Sequence, residues 1–423
     1  MTTLEFGAWG SVKHYDIEEQ YGGVAAGAYD DHIRQAQLMD DLGYKHYWII
    51  EHQASYVGAI TAPSVFLTAV AMATQQIHIG AMIWVLPFHN PIRLAEEIAT
   101  LDHLSHGRVD FGTGIGTHEH EFMRMGLDYY ARREMGDEAL DIIEAAWTQE
   151  SVTYKGRFWN FDEMLPRPWP YQKPHPPMWI AAHSMRAFEW AAERNYNVGT
   201  NISTDDQLED KFNHFRKIWK ETAHPGPMPR QMLVRAVHVA ETDAQARAEV
   251  EPYLQESMGL GREMVLNTRI GMGTDPRGKG TDNTRYTRAN GLIFAQARKS
   301  YDFWIDNGLA IIGSPETVAR QLKEKQERLG FTTFAANHHI GRMPTDLVDK
   351  SISLLAKEVF PAFDQPTEPN LAISMAATRW PGSGRPRDRT RKPICSRNWC
   401  APGFTPTTSI TVPGCATRHR SRH

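Results

Sequence analysis

Cysteine is almost absent from this chain. The three cysteines, Cys395, Cys400 and Cys415, all lie near the C-terminus, so residues 1–365 contain none. That part of the chain therefore has no disulfide framework, no thiolate metal site and no cysteine nucleophile. The composition of the whole chain, 41% hydrophobic and 23% charged, is that of a globular protein.

Long hydrophobic runs are also missing. The longest apolar stretches, such as Ala81–Phe88, fall far short of the roughly 20 residues that span a bilayer. The N-terminal sequence MTTLEFGAWG lacks a basic region followed by an apolar stretch, so no signal peptide is evident. We therefore expect no membrane association and a cytoplasmic location.

Net positive charge is confined to the C-terminus. Residues 366–423 carry ten Lys and Arg against Glu368 and Asp388, a net charge of +8; since the whole chain carries −4, residues 1–365 carry −12. Such an acidic body argues against nucleic acid as a partner. The basic, proline-rich tail shows neither helical nor strand periodicity, and we expect it to be a disordered appendage. A nucleic-acid-binding arm is the alternative reading of the tail. We predict one domain over 1–365 and a separate tail over 366–423.

Short β-rich runs alternate with amphipathic helical stretches through residues 1–365. The eight predicted strands are Leu4–Gly10, Tyr44–Ile50, Ile77–Val85, Val109–Gly114, Met178–Ala182, Asn197–Gly199, Met232–Ala240 and Phe331–Asn337. This alternation predicts an α/β fold with parallel strands, either a closed barrel or a doubly wound sheet. The glycine-rich segment GTGIGTHEHEF follows the fourth strand rather than the first, which does not fit a dinucleotide fingerprint. We therefore predict a TIM-type (β/α)8 barrel.

Two insertions interrupt the alternation. Ser151–Pro177 contains TYKGRFWNF, which predicts a hairpin, followed by a proline-rich connector. Gly259–Asn290 is longer and carries five arginines. Long loops in compact barrels are commonly lids, and barrel chemistry takes place at the C-terminal ends of the strands, where lids close.

Polar residues directly after the predicted strands are the candidates for chemistry. The second strand runs into Glu51 and His52, which suit acid–base work because histidine titrates near neutrality; alternatively, Glu51 pairs with a basic residue and His52 is an ordinary loop residue. Gly114 closes the fourth strand, where glycine lets backbone approach a flat ligand or an anion; alternatively, it serves a tight loop. Ser184 occupies an N-cap position whose free N–H groups suit a phosphate; alternatively, it caps the helix without a ligand. His338 follows the eighth strand.

The histidines raise the question of a metal. His118–Glu121 and His338–His339 offer nitrogen and oxygen ligands. However, no His-x-His pair ends the first strand, and the lysine or paired-acid arrangement of barrel hydrolases is missing. We expect HEHEF to begin a solvated helix and expect no metal, with a metal hydrolase as an alternative.

Several segments together resemble the bacterial luciferase-like flavin-dependent monooxygenases, over roughly residues 1–363. The matching segments are FGAW, WIIEHQ, IHIGAMIWVLPFHNPIRLAEEIATLDHLSHGRVDFGTG, WIAAHSMRAFEWAAERN, IIGSPETVARQLKEKQERLGF and SISLLAKEVFPAF. Their number, order and spacing carry the resemblance, which implies a barrel that binds FMN and uses its reduced form to activate oxygen.

The resemblance also implies roles for particular residues. His52 matches the catalytic histidine, next to Glu51, and Met82–Ile83 matches a non-proline cis peptide against which the flavin ring rests. Ser184 matches a phosphate-binding serine, and Gly259–Asn290 corresponds to the loop that covers the reduced flavin.

Some positions depart from luciferase itself. Gln53 replaces the second histidine of its Glu-His-His, while Ile115 and His183 stand where luciferase has a phosphate-contacting arginine and a glutamate. Arg186 is a candidate for the missing positive charge. Light emission driven by an aldehyde is therefore not expected.

For the substrate, we expect a small organic molecule in a pocket with Trp9, Trp84, His338, the hairpin around Phe158 and Trp159, and the arginines of Gly259–Asn290. The aromatic residues suit an apolar substrate, and the five arginines leave an anionic substrate as the alternative. Because no separate nicotinamide fingerprint is present, reduced FMN is expected to come from a partner flavin reductase. The family resemblance implies a homodimer. The alternatives are a deazaflavin-dependent oxidoreductase of the same fold and a noncatalytic partner subunit.

Overall fold

The structure is a computed structural model, and it describes residues 3–12, 20, 22–54, 58–201, 203–254 and 300–363. The loop predicted to act as a lid, Gly259–Asn290, and the tail over 366–423 lie outside the described residues.

Strands and helices alternate along the described chain. The strands are β1 (Glu5–Gly10), β2 (His46–Ile49), β3 (His78–Val85), β4 (Val109–Gly114), β5 (Val152–Lys155), β6 (Asn160–Met164), β7 (Met178–Ala181), β8 (Asn197–Thr200), β9 (Gln231–Val239), β10 (Ala310–Gly313) and β11 (Thr333–Asn337). The helices are α1 (Ala25–Asp41), α2 (Pro63–Ala73), α3 (Pro91–Leu104), α4 (Glu119–Arg124), α5 (Arg132–Thr148), α6 (Met185–Glu193), α7 (Asp205–Thr222), α8 (residues 243–254), α9 (Tyr301–Asp306), α10 (Pro315–Leu329) and α11 (Thr345–Leu354). Turns of 3₁₀-helix cover Leu86–Phe88, Tyr129–Ala131 and Phe360–Ala362, and Leu355–Val359 is π-helical. Among the described residues, no helix is long and apolar enough to cross a membrane.

Eight parallel strands close into a barrel, in the order β1-β2-β3-β4-β7-β8-β9-β11 and back to β1. These eight are the strands predicted from the alternation, so the predicted (β/α)8 barrel is confirmed. A ninth strand, β10, was not predicted; it pairs with the second half of β9, with Ala310 opposite Ala236. It lies outside the eight-stranded barrel, so counting eight alternations of strand and helix did not require it.

Local signals end α1 and tie it to the next strand. Gly43 follows the helix with φ +85°, a left-handed conformation that glycine adopts without steric cost. The Asp40 carboxylate accepts hydrogen bonds from the backbone N–H groups of Gln75, Gln76 and Ile77 at 2.6, 2.9 and 2.7 Å. The side chain thus fixes the turn that leads into β3.

The core has two layers. The larger one lies between the barrel and its helices, and the smaller one fills the barrel with Trp48, Met82, Trp179, Met232, Val234 and Ala335. Two glycines make close packing inside the barrel possible. A Cβ on Gly80 would lie 2.5 Å from the Trp48 ring, and a Cβ on Gly112 would lie 2.1 Å from the Ala81 carbonyl oxygen. Large rings inside a narrow barrel therefore require backbone alone at these positions.

Charged side chains close the N-terminal end of the barrel. Asp110 accepts a hydrogen bond from His46 Nδ1 at 2.8 Å and lies 3.8 Å from the Arg230 guanidinium. The Glu5 carboxylate accepts hydrogen bonds from His46 Nε2 at 3.2 Å and from the Arg230 guanidinium at 3.0 Å. Two carboxylates are thus matched by an imidazole and a guanidinium, and this end of the barrel is a paired, structural cluster.

The predicted hairpin is confirmed as the antiparallel pair β5–β6. Its turn is held against α5, because the Glu138 carboxylate accepts the backbone N–H groups of Arg157 and Phe158 at 2.8 and 3.1 Å. The Trp159 ring packs against the outer core layer. The hairpin is therefore docked on the helical shell.

Candidate active site

The residues after β2 are fixed by hydrogen bonds. The Glu51 side chain is fully buried, and its carboxylate accepts the Val85 N–H at 2.7 Å, the Gln53 amide at 2.8 Å and His89 Nε2 at 3.0 Å. Burial lowers the pKa of His89, but the hydrogen bond and charge of Glu51 outweigh burial, so the His89 pKa is raised. Glu51 thus joins the ends of β2 and β3 and sets where the next residue, His52, lies. Its assignment as an acid–base group stays a prediction.

His52 forms a dyad with Glu121. His52 Nδ1 donates to Oε1 of Glu121 at 2.8 Å; the Glu121 side chain is buried and that of His52 is 13% exposed. No hydrogen bond from a described residue reaches His52 Nε2. A carboxylate on one ring nitrogen fixes the tautomer and leaves the other nitrogen to exchange a proton, as in histidine-based general acid–base catalysis.

Glu121 belongs to the segment HEHEF, and the expectation of a solvated helix is wrong here. The short helix α4 turns both Glu121 and Phe122 into the interior. His118, just before the helix, lies with its ring 5.2 Å from that of His52. Burial and the charge of His52 lower the pKa of His118 to about 3, so its imidazole is neutral at physiological pH. Sequence reasoning missed Glu121 because alternating histidine and glutamate resembles an exposed face.

The strand beside this dyad has an irregular middle. The Met82–Ile83 peptide bond is cis, as the family resemblance implies. The pairing of β3 with β4 shifts between Ala81 and Trp84, and both Met82 and Ile83 pack with the cluster inside the barrel. A Cβ on Gly114 would lie 2.7 Å from Ile83 Cδ1. Met82 and Ile83, in the second half of β3, therefore lie close to Gly114 at the C-terminal end of β4.

The residues predicted to hold a phosphate lie at the N-terminus of α6. Ser184 caps the helix, with its Oγ accepting the Ala187 N–H at 3.3 Å. Arg186 is exposed one residue into the helix. His183 precedes the cap, and burial together with the charge of Lys211 lowers its pKa to about 4. Ser184 thus caps the helix beside a neutral histidine, and the binding of a phosphate at this helix end stays a prediction.

Lys211, on α7, is a residue that sequence reasoning missed. Its Nζ donates to Ser203 Oγ at 2.9 Å, and no carboxylate of the described chain forms an ion pair with it. Burial and the charge of Arg235 lower the Lys211 pKa to about 8. The ammonium group is therefore a half-buried positive charge near His183 without a matching anion. The only sequence signal was a lysine two turns into the helix after β8.

The three residues predicted to line a substrate pocket do not lie together. Trp9 packs against the cluster inside the barrel. Trp84 is fully buried in the outer layer, with its indole nitrogen 3.3 Å from Ser64 Oγ and its ring 5.5 Å from that of Phe111. Simple alternation from Met82 points Trp84 inward, but the register shift in β3 turns it outward.

His338 also faces the helical shell. Its Nδ1 lies 3.0 Å from Ser351 Oγ and its Nε2 3.4 Å from the Tyr44 hydroxyl. Burial lowers its pKa to about 3. Asn337 is the residue before it and the last residue of β11. It lies on the same face of the strand as Ala335, which faces the barrel interior. A position directly after a strand was thus not enough to place a side chain in the barrel mouth, the open end formed by the C-terminal ends of the strands.

The chain is similar to monooxygenases of known activity. A sequence profile of the luciferase-like monooxygenases matches residues 12–333. The chain is 28% identical over 344 residues to limonene 1,2-monooxygenase of Rhodococcus erythropolis, covering 80% of this chain and 82% of that protein. It is 27% identical over 322 residues to the oxygenase component of the flavin-dependent trigonelline monooxygenase of Acinetobacter baylyi, covering 70% and 88% of the two chains.

Solved structures share the barrel. The oxygenating constituent of 3,6-diketocamphane monooxygenase from Pseudomonas putida, in complex with FMN, matches with a TM-score of 0.68 and 23% identity over 85% of this chain and 98% of that one. Two F420-dependent enzymes match with TM-scores of 0.60 and 0.64. These likenesses show the fold, and the profile covers most of the chain. The protein belongs to the luciferase-like monooxygenase family.

Proposed function

We propose that this protein is a monooxygenase that uses reduced FMN and molecular oxygen to oxidise a small organic substrate. The observation that carries the proposal is the His52–Glu121 dyad at the barrel mouth, one strand away from Met82 and Ile83. The similarity to two monooxygenases over most of the chain supports oxygen chemistry over hydride transfer.

The residues present fit FMN. The indole N–H of Trp9 and Oδ1 of Asn201 are buried and hydrogen-bond to no residue that the structure describes, which suits the polar edge of a bound ring. Met82, Ile83 and Gly114 would face the ring, with glycine allowing close approach. At the other end, the α6 N-terminus with Ser184 would hold the phosphate, and Lys211 would supply the positive charge.

The chain's own groups then have defined tasks. Bound reduced FMN supplies two electrons to oxygen, which is chemistry the protein itself does not provide. His52 would move a proton at the reacting oxygen or substrate through Nε2, while Glu121 holds the ring and stabilises its protonated form. Glu51 would keep His52 in place. The apolar side chains inside the barrel would exclude water from the reaction.

Two partners are proposed. A separate reductase would supply reduced FMN, which is supported by the relative named as an oxygenase component. A second copy of the chain is supported by α2, where Val65 and Met72 are 73% and 67% exposed two turns apart on one helix face. The domain over 1–365 would carry all of the catalytic residues.

The test compares reduced FMN, oxidised FMN and F420 as ligands of the full chain under anaerobic conditions, followed by mixing with oxygen. We expect reduced FMN to bind most tightly and its reoxidation time course to differ from that of free flavin. Limonene and trigonelline, in ¹⁸O₂, serve as an apolar and a charged probe for labelled product. His52→Gln should leave flavin affinity within a few-fold and slow product formation by about 10²–10⁴-fold.

The matched control is His103→Gln, an exposed histidine on α3 whose Nε2 donates to the Trp169 carbonyl oxygen at 2.9 Å. Tighter binding of F420 with hydride transfer to it would replace the proposal by a deazaflavin-dependent oxidoreductase. If the protein binds flavin but the reoxidation time course equals that of free flavin, and His52→Gln does not change it, a noncatalytic subunit would be favoured. Absence of flavin binding would refute the proposal.

A further inference from the structure

Three side chains at the barrel mouth also match a metal-ligand set. His52, His118 and Glu121 each offer one ligand atom, and these atoms lie within 4.8 Å of one another. Oε1 of Glu121 is 2.8 Å from His52 Nδ1 and 3.9 Å from His118 Nδ1. Two histidines and a glutamate are a donor set that zinc uses in open, three-ligand sites.

The spacing is close to what zinc needs. Ligand atoms about 2.1 Å from a tetrahedral zinc ion are about 3.4 Å apart. The two distances at Glu121, 2.8 and 3.9 Å, lie on either side of that value, and the two histidine ligand atoms lie within 4.8 Å of each other, so side-chain shifts of about 1 Å or less would complete the geometry. The two histidine side chains are 13% and 14% exposed, which leaves a path for an ion and a position for water.

The charge of the group favours a cation. Glu121 contributes one negative charge, and no arginine or lysine in the described part of the chain forms an ion pair with it. A second group with metal-ligand spacing, His46, His78 and Asp110, differs in this respect. There, Arg230 lies 3.8 Å from Asp110 and already supplies positive charge. A metal ion at that end of the barrel would meet electrostatic repulsion.

We propose that His52, His118 and Glu121 form a binding site for a divalent transition metal, with Zn²⁺ as the ion it takes. Binding breaks the His52–Glu121 hydrogen bond and releases the Nδ1 proton of His52 to solvent while both groups coordinate the ion. Because the metal occupies both members of the dyad, it inhibits the enzyme; this consequence, unlike the binding itself, rests on the proposed function.

The experiment measures Zn²⁺ binding to the full chain by calorimetry, with Co²⁺ absorption as a second readout of ligand type. Cys395, Cys400 and Cys415 in the tail can also bind metal, so the readout is the difference between variants rather than the total stoichiometry. We expect His118→Ala and the isosteric Glu121→Gln each to abolish one binding event or weaken it by at least about 100-fold. Cobalt at this site should show no thiolate charge-transfer absorption.

The matched controls are His103→Ala, on the exposed face of α3, and His78→Ala, from the other group; both should keep the binding event. Loss of that event in His78→Ala, or its persistence in both His118→Ala and Glu121→Gln, would overturn the proposal, as would an absence of saturable Zn²⁺ binding to the unaltered chain. Each result is independent of whether the protein binds FMN, so the metal site and the proposed function can fail separately.

Discussion

Replacing Asp110 by asparagine should destabilise the barrel in a pH-dependent way. The Asp110 side chain is fully buried and accepts hydrogen bonds from His46 Nδ1 at 2.8 Å and Trp179 Nε1 at 3.4 Å. Burial raises its pKa, but the charge and hydrogen bond of His46 lower it further, so the group is ionised. Asparagine keeps the shape and one acceptor oxygen but removes the charge that balances His46.

The magnitude follows from the burial of the pair. Removing one partner of a buried ion pair costs about 3–5 kcal/mol, and we expect about 3 kcal/mol because Arg230 retains Glu5 as a partner. With an unfolding entropy of about 2.1 cal/mol/K per residue over roughly 360 residues, that corresponds to a fall in Tm of about 4 °C.

The sign of the pH dependence is set by His46. Burial lowers its pKa, but the charge and hydrogen bond of Asp110 raise it above the ordinary 6.5. Its contribution to stability is therefore fully present below pH 6.5 and is lost as the pH rises through the folded-state value. The difference between wild type and Asp110→Asn should shrink from about 3 kcal/mol near pH 6 toward about 1 kcal/mol near pH 9, the value of a neutral hydrogen bond.

Urea denaturation of both proteins at each pH measures the difference. The control is Asp141→Asn, which removes an exposed ion pair with Arg194 and should cost at most about 1 kcal/mol at either pH. A cost for Asp110→Asn that stays constant or grows with pH would refute the assignment of a protonated His46. A cost no larger than that of Asp141→Asn would refute the structural role of the cluster.

Four further outcomes are expected. Gly112→Ala should lower the free energy of unfolding, measured by urea denaturation, by about 1–3 kcal/mol, because its Cβ would meet the backbone carbonyl oxygen of Ala81. Lys211→Ala should weaken the binding of reduced FMN by about 10–100-fold and leave the affinity for riboflavin unchanged, since only FMN carries the phosphate. Met72→Asp should convert a dimer into a monomer in light scattering, because it places a charge in the exposed apolar face of α2. Deleting 366–423 should leave Tm and flavin affinity unchanged.

Each of these expectations has a contrary result. If Gly112→Ala were as stable as the wild type, the barrel interior would be less tightly packed around Gly112 than the structure indicates. Equal losses of FMN and riboflavin affinity in Lys211→Ala would point to a general structural role. A monomeric wild-type protein, or a dimeric Met72→Asp, would exclude α2 as the interface. A lower Tm without the tail would show that the tail stabilises the barrel.

The barrel could be predicted from the sequence because its signals are local. Each strand is a short β-rich run such as Ile77–Val85, and several crossover helices have their own start or stop signal, such as Gly43 after α1. The order of these elements along the chain leaves few possible topologies. His52 and Ser184 could be proposed for the same reason, since both directly follow predicted strands.

The tertiary structure decided which way the side chains point and which residues they contact. The register shift between Ala81 and Trp84 turns Trp84 to the outer layer, and the parity of β11 does the same to His338. A bulge leaves no pattern in a run of apolar residues, so alternation cannot reveal it.

The partners of the site residues lie far away in sequence. Glu121 is 69 residues from His52, and its burial arises only when α4 packs over the barrel mouth. Lys211 and His183 approach each other because α6 and α7 follow neighbouring strands. Sequence therefore determined which elements form and in what order, whereas closing the barrel decided which side chains share a site, because that closure alone brings distant segments within hydrogen-bonding distance.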